Sequence, residues 1–275
     1  MRKDTRMLLD LKEKSGLGLK FDTEKPEMSF ATDLTPRTPA IRTITQMQEV
    51  LLDKGLGEPE ELYYMYRDIY RICDKPALEK HALRFDVTAI KPVCLGREFM
   101  KTAGHYHPES FPELYELLWG RCFCLMQRSD AKDYRIIEEA IMVEAVAGQK
   151  IVIPPGFGHI LINPGPDYLI TANWVSSRFS SRYELYKTAE GAAYFVTTAD
   201  RDTQASPSLK VGLAISKNPH FSRVAEVNFV RPSNAIKRFA LVQDRPMYNI
   251  INQSPEALDF LNRPLDYDYK DVFVK

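Results

Sequence analysis

The sequence predicts an all-β protein, built either as a closed barrel or as a double-sheet sandwich. Within residues 83–175, short apolar stretches of strand length alternate with turn residues. Residues 83–90 alternate apolar and polar side chains and end before Pro92, as strands commonly do. The separators include 154–156, Pro-Pro-Gly, and 163–167, Asn-Pro-Gly-Pro-Asp, which favour turns. Many short strands joined by regular turns are typical of these two architectures.

The first elements in chain order lie outside the barrel. Residues 1–40 combine a charged run with three prolines, which predicts an extended arm with little core. Residues 40–54 predict an amphipathic helix that packs on the barrel, because apolar residues follow helical spacing and Gly55 is a suitable C-cap. Residues 62–72 contain four tyrosines and fit a strand or a helix, and the aromatic density favours a strand.

The remaining elements are mostly strands. The predicted barrel strands are 83–90, 99–106, 114–119, 121–127, 135–137, 140–146, 149–153, 159–163 and 168–175. Beyond them, 210–215 and 224–230 predict two strands, and 255–261 predicts a short helix. Two strands need further partners for stability, so they either extend a barrel sheet or cross to a second subunit of a symmetric dimer.

We therefore expect three parts in the chain. Residues 1–55 form the N-terminal arm and a helix that packs on the barrel. Residues 56–199 form the barrel and carry the functional site. Residues 200–275 form a C-terminal extension of strands and a short helix, which is a candidate dimer contact.

Composition limits the partners that we expect. The 37 basic residues equal the 37 acidic ones, so no overall positive field attracts nucleic acid. No stretch approaches the roughly 18 consecutive apolar residues of a membrane span. The charged start, residues 1–6, lacks the apolar segment of a signal peptide. The four cysteines form no Cys-x-x-Cys pair, which predicts free thiols in a cytoplasmic protein.

Three of the five histidines lie in two segments of the predicted barrel. If 102–107 is a strand, His105 and His107 point to the same face. Glu113 opens the next apolar run, and His159 follows the Pro-Pro-Gly turn. A lone His-x-His pair is often two exposed or hydrogen-bonded histidines, but the added carboxylate and third imidazole favour a site for one divalent metal ion. Such mixed ligation suits Fe, Mn, Ni, Co or Zn and does not select among them.

Among β-barrels, the jelly roll of the cupins keeps a ligand site among inward-facing side chains. Three motifs occur together here: Thr-x-Gly-His-x-His at 102–107, Glu-Leu-Tyr-x-x-Leu-x-Gly at 113–120 and Pro-Pro-x-x-x-His at 154–159. Their combination resembles the cupin-type (archaeal-type) glucose-6-phosphate isomerases, over residues 60–195. The resemblance implies a cupin barrel (a double-stranded β-helix, or jelly roll) with peripheral helices and N- and C-terminal extensions.

The resemblance also implies an activity and a site. The expected reaction is the interconversion of glucose 6-phosphate and fructose 6-phosphate, in glycolysis and gluconeogenesis, by a homodimer with one divalent metal ion per subunit. The metal ligands that the resemblance implies are His105, His107, Glu113 and His159. The residues implied to hold the sugar phosphate are Tyr63, Thr88, Thr102, Gly104 and Tyr183.

The chemistry of these residue types fits that reaction, which moves hydrogen between C1 and C2 of the open-chain sugar. A bound metal supplies Lewis acidity that stabilises the developing enediolate charge. Glu113 is the leading candidate for the catalytic base, but ligation favours its ionised form and lowers its basicity, so a metal-assisted hydride shift is the alternative. The Thr88 and Thr102 hydroxyls and the Gly104 N–H are short donors that suit phosphate oxygens, and glycine allows close backbone approach.

The chain departs from the family pattern at several places. Ser-Ser-Arg-Tyr at 180–183 stands where the family has Gly-His-Asp-Tyr, which removes a histidine and a carboxylate beside the substrate. The segment before Glu113 is one residue shorter, 127–139 is a polar insert, and 200–275 has no counterpart. These departures support two alternatives: a non-catalytic, metal-containing cupin that binds sugar phosphates, and an isomerase of a different sugar or sugar phosphate.

Overall fold

The structure, a computed structural model, describes residues 7–108, 111–198 and 213–275. The strands of these residues, in chain order, are β1 (Leu8–Asp10), β2 (Leu19–Asp22), β3 (Glu27–Phe30), β4 (Ala40–Thr43), β5 (Glu61–Tyr66), β6 (Leu83–Ile90), β7 (Cys94–Leu95), β8 (Glu98–Lys101), β9 (Glu113–Trp119), β10 (Arg121–Ser129), β11 (Ile136–Val146), β12 (Lys150–Ile153), β13 (Gly158–Asn163), β14 (Leu169–Ser176), β15 (Tyr194–Thr198), β16 (Leu213–Lys217), β17 (Arg223–Val224), β18 (Val227–Pro232), β19 (Ala235–Ile236), β20 (Leu241–Val242) and β21 (Phe273–Val274).

The helices are short and lie at the periphery. The α-helices are α1 (Lys12–Ser15), α2 (Ile44–Met47), α3 (Lys75–His81), α4 (Glu184–Thr188) and α5 (Ile250–Gln253). The 3₁₀ segments are Gln48–Val50, Ile72–Asp74, Lys237–Phe239, Met247–Asn249, Pro255–Leu261 and Pro264–Asp266. Three parts of the sequence-based predictions lie outside the described residues: the charged start at 1–6, residues 109–110 before Glu113, and 210–212 at the start of a predicted strand.

Two facing sheets form the barrel. One sheet has the strand order β12-β9-β14-β6-β5-β4. The other follows β16-β15-β8-β13-β10-β11-β18-β21, with β7 paired to β8 and β17 paired to β11. From β8 to β14 the chain passes repeatedly between the two sheets, which is the connectivity of a jelly roll. The prediction of an all-β cupin barrel with peripheral helices is confirmed.

The six-stranded sheet is buried on both faces, and strand β6 shows how the sequence produces this. Because side chains alternate along a strand, Phe85 and Val87 face outward into one apolar cluster. Arg84, Asp86 and Thr88 face inward and line a cavity inside the barrel. The polar positions of this strand therefore mark the lining of a cavity, whereas such alternation usually marks a solvated face.

The outer face of the six-stranded sheet is covered by both ends of the chain. The N-terminal sheet β1-β2-β3 and the segment 235–272 pack on it and form a second apolar core. Trp174 is completely buried there, and its Nε1 donates to the Met247 carbonyl at 3.1 Å. The prediction of an arm with little core for residues 1–40 is wrong, because the alternating Leu17, Leu19 and Phe21 are fully buried.

The predicted helix over residues 40–54 is also corrected. Residues 40–43 form strand β4, which pairs with β5. The helix starts only after Thr43, whose side chain accepts the N–H of Gln46 while the Gln46 side chain accepts the N–H of Thr43. This capping box fixes the start of a helix. The apolar residues of 40–54 follow helical spacing across a strand and the helical turn after it, so the spacing predicted one helix where there are two elements.

Three predicted strands have different limits from those expected. The strand expected over 99–106 ends at Lys101, and Gly104 then takes a left-handed backbone conformation with φ of 79°. Residues 135–137 and 140–146, expected as two strands, are joined in β11. The helix expected over 255–261 is a 3₁₀ segment.

The C-terminal extension completes the barrel sheet within the same chain. β16 pairs antiparallel with β15, and β18 pairs in parallel with β11. Of the two arrangements considered for these strands, the structure shows the first, in which they extend a barrel sheet. A dimer contact through residues 200–275 stays a prediction.

Two smaller expectations concern the cysteines and membrane segments. All four cysteines are free, as predicted, and burial raises the pKa of the Cys122 thiol to about 12. Among the described helices, none combines the length and the apolar character required to cross a membrane.

We predict that replacing Phe260 with alanine lowers the free energy of unfolding by about 3–5 kcal/mol, because a buried aromatic side chain is lost and a cavity remains. Phe260 is fully buried and stacks on Phe239, with ring centroids 4.1 Å apart. Leu265→Ala is the matched control, since Leu265 is 90% exposed nearby. Urea unfolding of both variants measures the difference, and equal stabilities would contradict the second core.

Candidate metal centre and substrate cavity

The four predicted ligands come from three segments of the chain and meet inside the barrel. Glu113 begins β9 in one sheet, and His159 lies in β13 of the facing sheet. His105 pairs with His159 in an isolated antiparallel bridge, in which each N–H donates to the other carbonyl at 3.3 and 3.1 Å. Directly opposed residues of an antiparallel pair share a face. The bridge therefore directs both imidazoles to the same side.

The ligating atoms of the cluster all lie within 4.8 Å of one another. The Glu113 Oε2 atom is 3.2 Å from His159 Nε2, 3.3 Å from His107 Nε2 and 3.9 Å from His105 Nε2. On His107, Nδ1 lies 2.9 Å from the Phe111 carbonyl, an arrangement that places the ring proton on Nδ1. The Nε2 lone pair of His107 is then directed to the centre of the cluster.

Burial determines the charges of this cluster. Burial lowers the pKa of His105 well below its usual value, and the neighbouring His159 and His107 lower it further. Burial also lowers the pKa of His159. For Glu113, burial alone would raise the pKa, but close polar contacts and positive charge from the His107 and His159 side chains outweigh it and hold the pKa well below its usual value. A cation bound by neutral imidazoles would supply that positive charge instead. Neutral imidazoles and an ionised carboxylate are the forms that bind a metal ion.

The residues present fit a divalent metal ion. Glu113 Oε2 is buried and has no hydrogen-bond partner among the described residues, although three imidazole nitrogens surround it. His105 Nε2 and His107 Nε2 lie only 3.0 Å apart. A buried anionic oxygen among converging lone pairs is costly without a cation. Three nitrogens and one oxygen suit first-row divalent metals and leave their identity open.

The five residues predicted to hold a sugar phosphate all line one cavity beside this cluster. They are Tyr63, Thr88, Thr102, Gly104 and Tyr183. Some are already fixed in position, since the Tyr63 hydroxyl accepts the Ala103 N–H at 3.2 Å and Thr102 Oγ1 accepts the Leu161 N–H at 3.0 Å. Both hydroxyl groups keep a hydrogen to donate to a ligand.

Gly104 has a packing requirement besides any role in binding. A Cβ atom at this position would lie 2.5 Å from the Tyr186 ring and 2.6 Å from Ile160. Its φ of 79° is also a conformation that other residues rarely adopt. The glycine is therefore explained by the fold alone, and its role towards phosphate stays a prediction.

Other residues of the site were not singled out from the sequence. Tyr115 lines the cavity, and its hydroxyl lies 3.2 Å from His159 Nε2. Arg67, Arg84 and Asp86 line the same cavity. The sequence contains one indication of Arg84 and Asp86: side chains alternate along β6, so these two residues lie on the same face as Thr88.

The fold and the cluster together define a class, namely a cupin barrel with a candidate metal site in its interior. A family model described as glucose-6-phosphate isomerase (GPI) matches residues 42–208, which is more than half of the chain. The chain belongs to the glucose-6-phosphate isomerase family.

Two relatives that bear the name of this family agree with the assignment. The chain is 28% identical over 162 residues to a glucose-6-phosphate isomerase of Thermococcus litoralis, which covers 56% of this chain and 75% of that protein. It is 27% identical over 163 residues to the Pyrococcus horikoshii protein of the same name, and the match covers 57% of this chain and 77% of that protein. A solved structure of oxalate oxidase matches with a TM-score of 0.35 at 16% identity, over 49% of this chain and 61% of that one.

We predict that Glu113→Gln and His159→Gln lower the bound metal from about one ion per chain to a small fraction of that, because each removes a ligand. Mass spectrometry of the dialysed protein measures the metal content. His220→Gln is the matched control, since this exposed histidine lies 3.6 Å from Glu190, outside the cluster. Full metal content in Glu113→Gln would exclude Glu113 as a ligand.

Proposed function

We propose that this chain is a metal-dependent aldose–ketose isomerase that interconverts glucose 6-phosphate and fructose 6-phosphate. Membership of the family supports the reaction class. One observation carries the proposal: the four candidate ligands converge within 4.8 Å, and three of them line the cavity that all five predicted sugar-phosphate residues also line.

The chemical roles follow from the positions of these residues. The four side chains of His105, His107, Glu113 and His159 would hold a divalent ion, which would supply Lewis acidity towards the sugar carbonyl. In the proton-transfer route, the Glu113 carboxylate takes the proton from C2 of the aldose and returns it to C1. In the hydride-shift route, Glu113 acts as a ligand only. The Tyr115 hydroxyl lies 3.2 Å from His159 Nε2, the nitrogen that faces Glu113, so it lies beside the proposed positions of the ion and the substrate in both routes.

The phosphate group is proposed to lie at the part of the cavity formed by Tyr63, Thr88, Thr102 and Gly104. These residues offer hydroxyl and N–H donors, which suit phosphate oxygens. Tyr183 lies near the other part of the substrate, since its ring centroid is 5.6 Å from that of His105.

The second candidate function is a cupin that binds a sugar phosphate without isomerising it. It is favoured by Ser181, which lines the cavity in the segment where the family pattern has a histidine and a carboxylate. An isomerase of a different sugar phosphate would have the same site. The cytoplasmic location and the homodimer remain predictions, and sedimentation of the purified protein measures the oligomeric state.

We predict that the metal-loaded protein turns over fructose 6-phosphate in an assay coupled to glucose-6-phosphate oxidation. Chelation should abolish turnover, and re-addition of a divalent metal should restore it. Glu113→Gln should lower kcat by at least about 10²-fold, since it removes a metal ligand and the candidate base together. His220→Gln should retain activity. A metal-loaded protein without turnover on any hexose phosphate would favour the binding function instead.

We predict that Thr88→Val raises KM for fructose 6-phosphate by about tenfold with little change in kcat, because one hydrogen bond to the charged phosphate is lost. Steady-state kinetics measure both constants. Thr171→Val is the matched control: Thr171 pairs directly with Thr88 across β14 and β6, and its buried hydroxyl has no partner among the described residues. An unchanged KM in Thr88→Val would remove Thr88 from the phosphate site.

A further inference from the structure

The cavity has a cationic end that the proposed function leaves without a role. Arg67 and Arg84 line the cavity together with Asp86 and Asn173, on the inner face of the six-stranded sheet. The side chain of Arg84 is 26% exposed and that of Arg67 is 44% exposed, whereas Asp86 is only 6% exposed. Two guanidinium groups thus share one buried carboxylate.

Asp86 fixes the orientation of Arg84. Both carboxylate oxygens accept from Arg84 Nε at 3.0 Å, and Oδ2 lies 2.9 Å from Nη2. Asp86 Oδ1 also accepts the Asp68 N–H at 2.9 Å. Within the described residues, the Arg84 guanidinium has Asp86 as its only polar partner. Its remaining N–H groups are therefore free to bind a ligand in the cavity that Arg84 lines.

Arg67 is held less firmly at the same end. Its Nη1 lies 4.0 Å from Asp86 Oδ2, and its Nη2 donates to the Met65 sulfur at 3.7 Å. Neither contact is a strong hydrogen bond. The three side chains of Arg67, Arg84 and Asp86 leave one net positive charge at this end of the cavity.

The sheet register places this end closer to Glu113 of the ligand cluster than to Thr88 of the predicted phosphate site. Where β14 pairs with β6, Val175 is opposite Arg84. Where β14 pairs with β9, Trp174 is opposite Leu114, so the next residue of β14, Val175, lies beside Glu113. Adjacent strands lie about 4.8 Å apart, so Arg84 is roughly 10 Å across the sheet from Glu113, with a small valine between them. Thr88 is four residues along β6 from Arg84, which is about 13 Å.

The electrostatics agree with this placement. Burial lowers the pKa of Arg84, but the negative charges of Asp86 and, more weakly, Glu113 raise it above its usual value. The Arg84 guanidinium and the Glu113 carboxylate therefore act on the same cavity, which both side chains line together with Arg67.

We propose that Arg84 and Arg67 form an anion-binding subsite for the oxygens at C1 and C2 of the sugar, with Asp86 as the positioning residue of Arg84. The inference rests on the proposed isomerase function. When the C2–H bond of the aldose breaks, its electron pair forms the C1–C2 double bond and the carbonyl π pair moves to O1. The proton passes to Glu113, and O1 carries the negative charge. Charge-assisted hydrogen bonds from guanidinium groups stabilise such an oxygen more than they stabilise a neutral carbonyl.

The test compares two ligands that differ only at C1. D-Arabinonate 5-phosphate has a carboxylate where D-arabinitol 5-phosphate has a neutral hydroxymethyl group, and both have the same phosphate. Calorimetry measures their binding to the metal-loaded wild-type protein, Arg84→Gln, Arg67→Gln and Arg84→Lys. Arg135→Gln is the control, since Arg135 is 55% exposed and pairs with Asp133 outside the cavity. Metal content and urea unfolding are measured for every variant.

We expect Arg84→Gln to lose about 10–100-fold in affinity for the carboxylate ligand and less than about threefold for the alcohol. Arg67→Gln should also lose more affinity for the carboxylate ligand than for the alcohol, but less than Arg84→Gln loses. Arg84→Lys should retain part of the affinity for the carboxylate ligand. In turnover, Arg84→Gln should lower kcat more than it changes KM. These losses must occur with unchanged metal content.

Equal losses for the two ligands would overturn the subsite, because the arginines would then hold the phosphate or shape the cavity. Unchanged affinities in Arg84→Gln and Arg67→Gln would also overturn it. Either result leaves the isomerase proposal intact if the wild-type protein turns over fructose 6-phosphate. A wild-type protein that binds neither ligand and has no turnover would overturn both proposals.

Discussion

The site depends on one electrostatic constraint, which is a buried carboxylate oxygen surrounded by three imidazole nitrogens. Glu113 Oε2 is removed from water and has no hydrogen-bond partner among the described residues. Leaving such a group unpaired costs several kcal/mol in an apolar interior. A cation at the cluster would neutralise this charge, so the same two sheets that make the core also bring together four side chains that could hold a metal ion.

The backbone arrangement explains why the four side chains meet. His105 lies outside any regular strand and is held by its reciprocal bridge with His159. The left-handed Gly104 immediately before it allows the chain to leave β8 and approach β13 closely. A site built on irregular backbone is fixed here by neighbours on both sides, because Tyr106 forms a second bridge with Arg182.

Much of this arrangement could be predicted from the sequence. The features that were missed or predicted wrongly each have a physical reason. The barrel followed from short strands and turns, and the cluster followed from residue types that bind metals. Arg84 and Asp86 were missed because polar residues at alternate strand positions usually face water. The N-terminal sheet was missed because three prolines and many charges resemble an extended arm, although Leu17, Leu19 and Phe21 alternate as in a strand. The limits of residues 99–106 depend on Gly104, whose conformation no periodicity reveals.

The layer on the outer face of the six-stranded sheet supports the cavity from outside the part of the chain that the family model matches. The family match begins at residue 42 and ends at 208, yet the sheet that carries Glu113 and Arg84 is covered by residues 9–34 and 235–272. The sheet that carries Glu113 and Arg84 therefore lies between the cavity and segments that the matched region does not include. A substitution in these outer segments changes the packing behind the sheet, and so it can shift the side chains that line the cavity without replacing any of them.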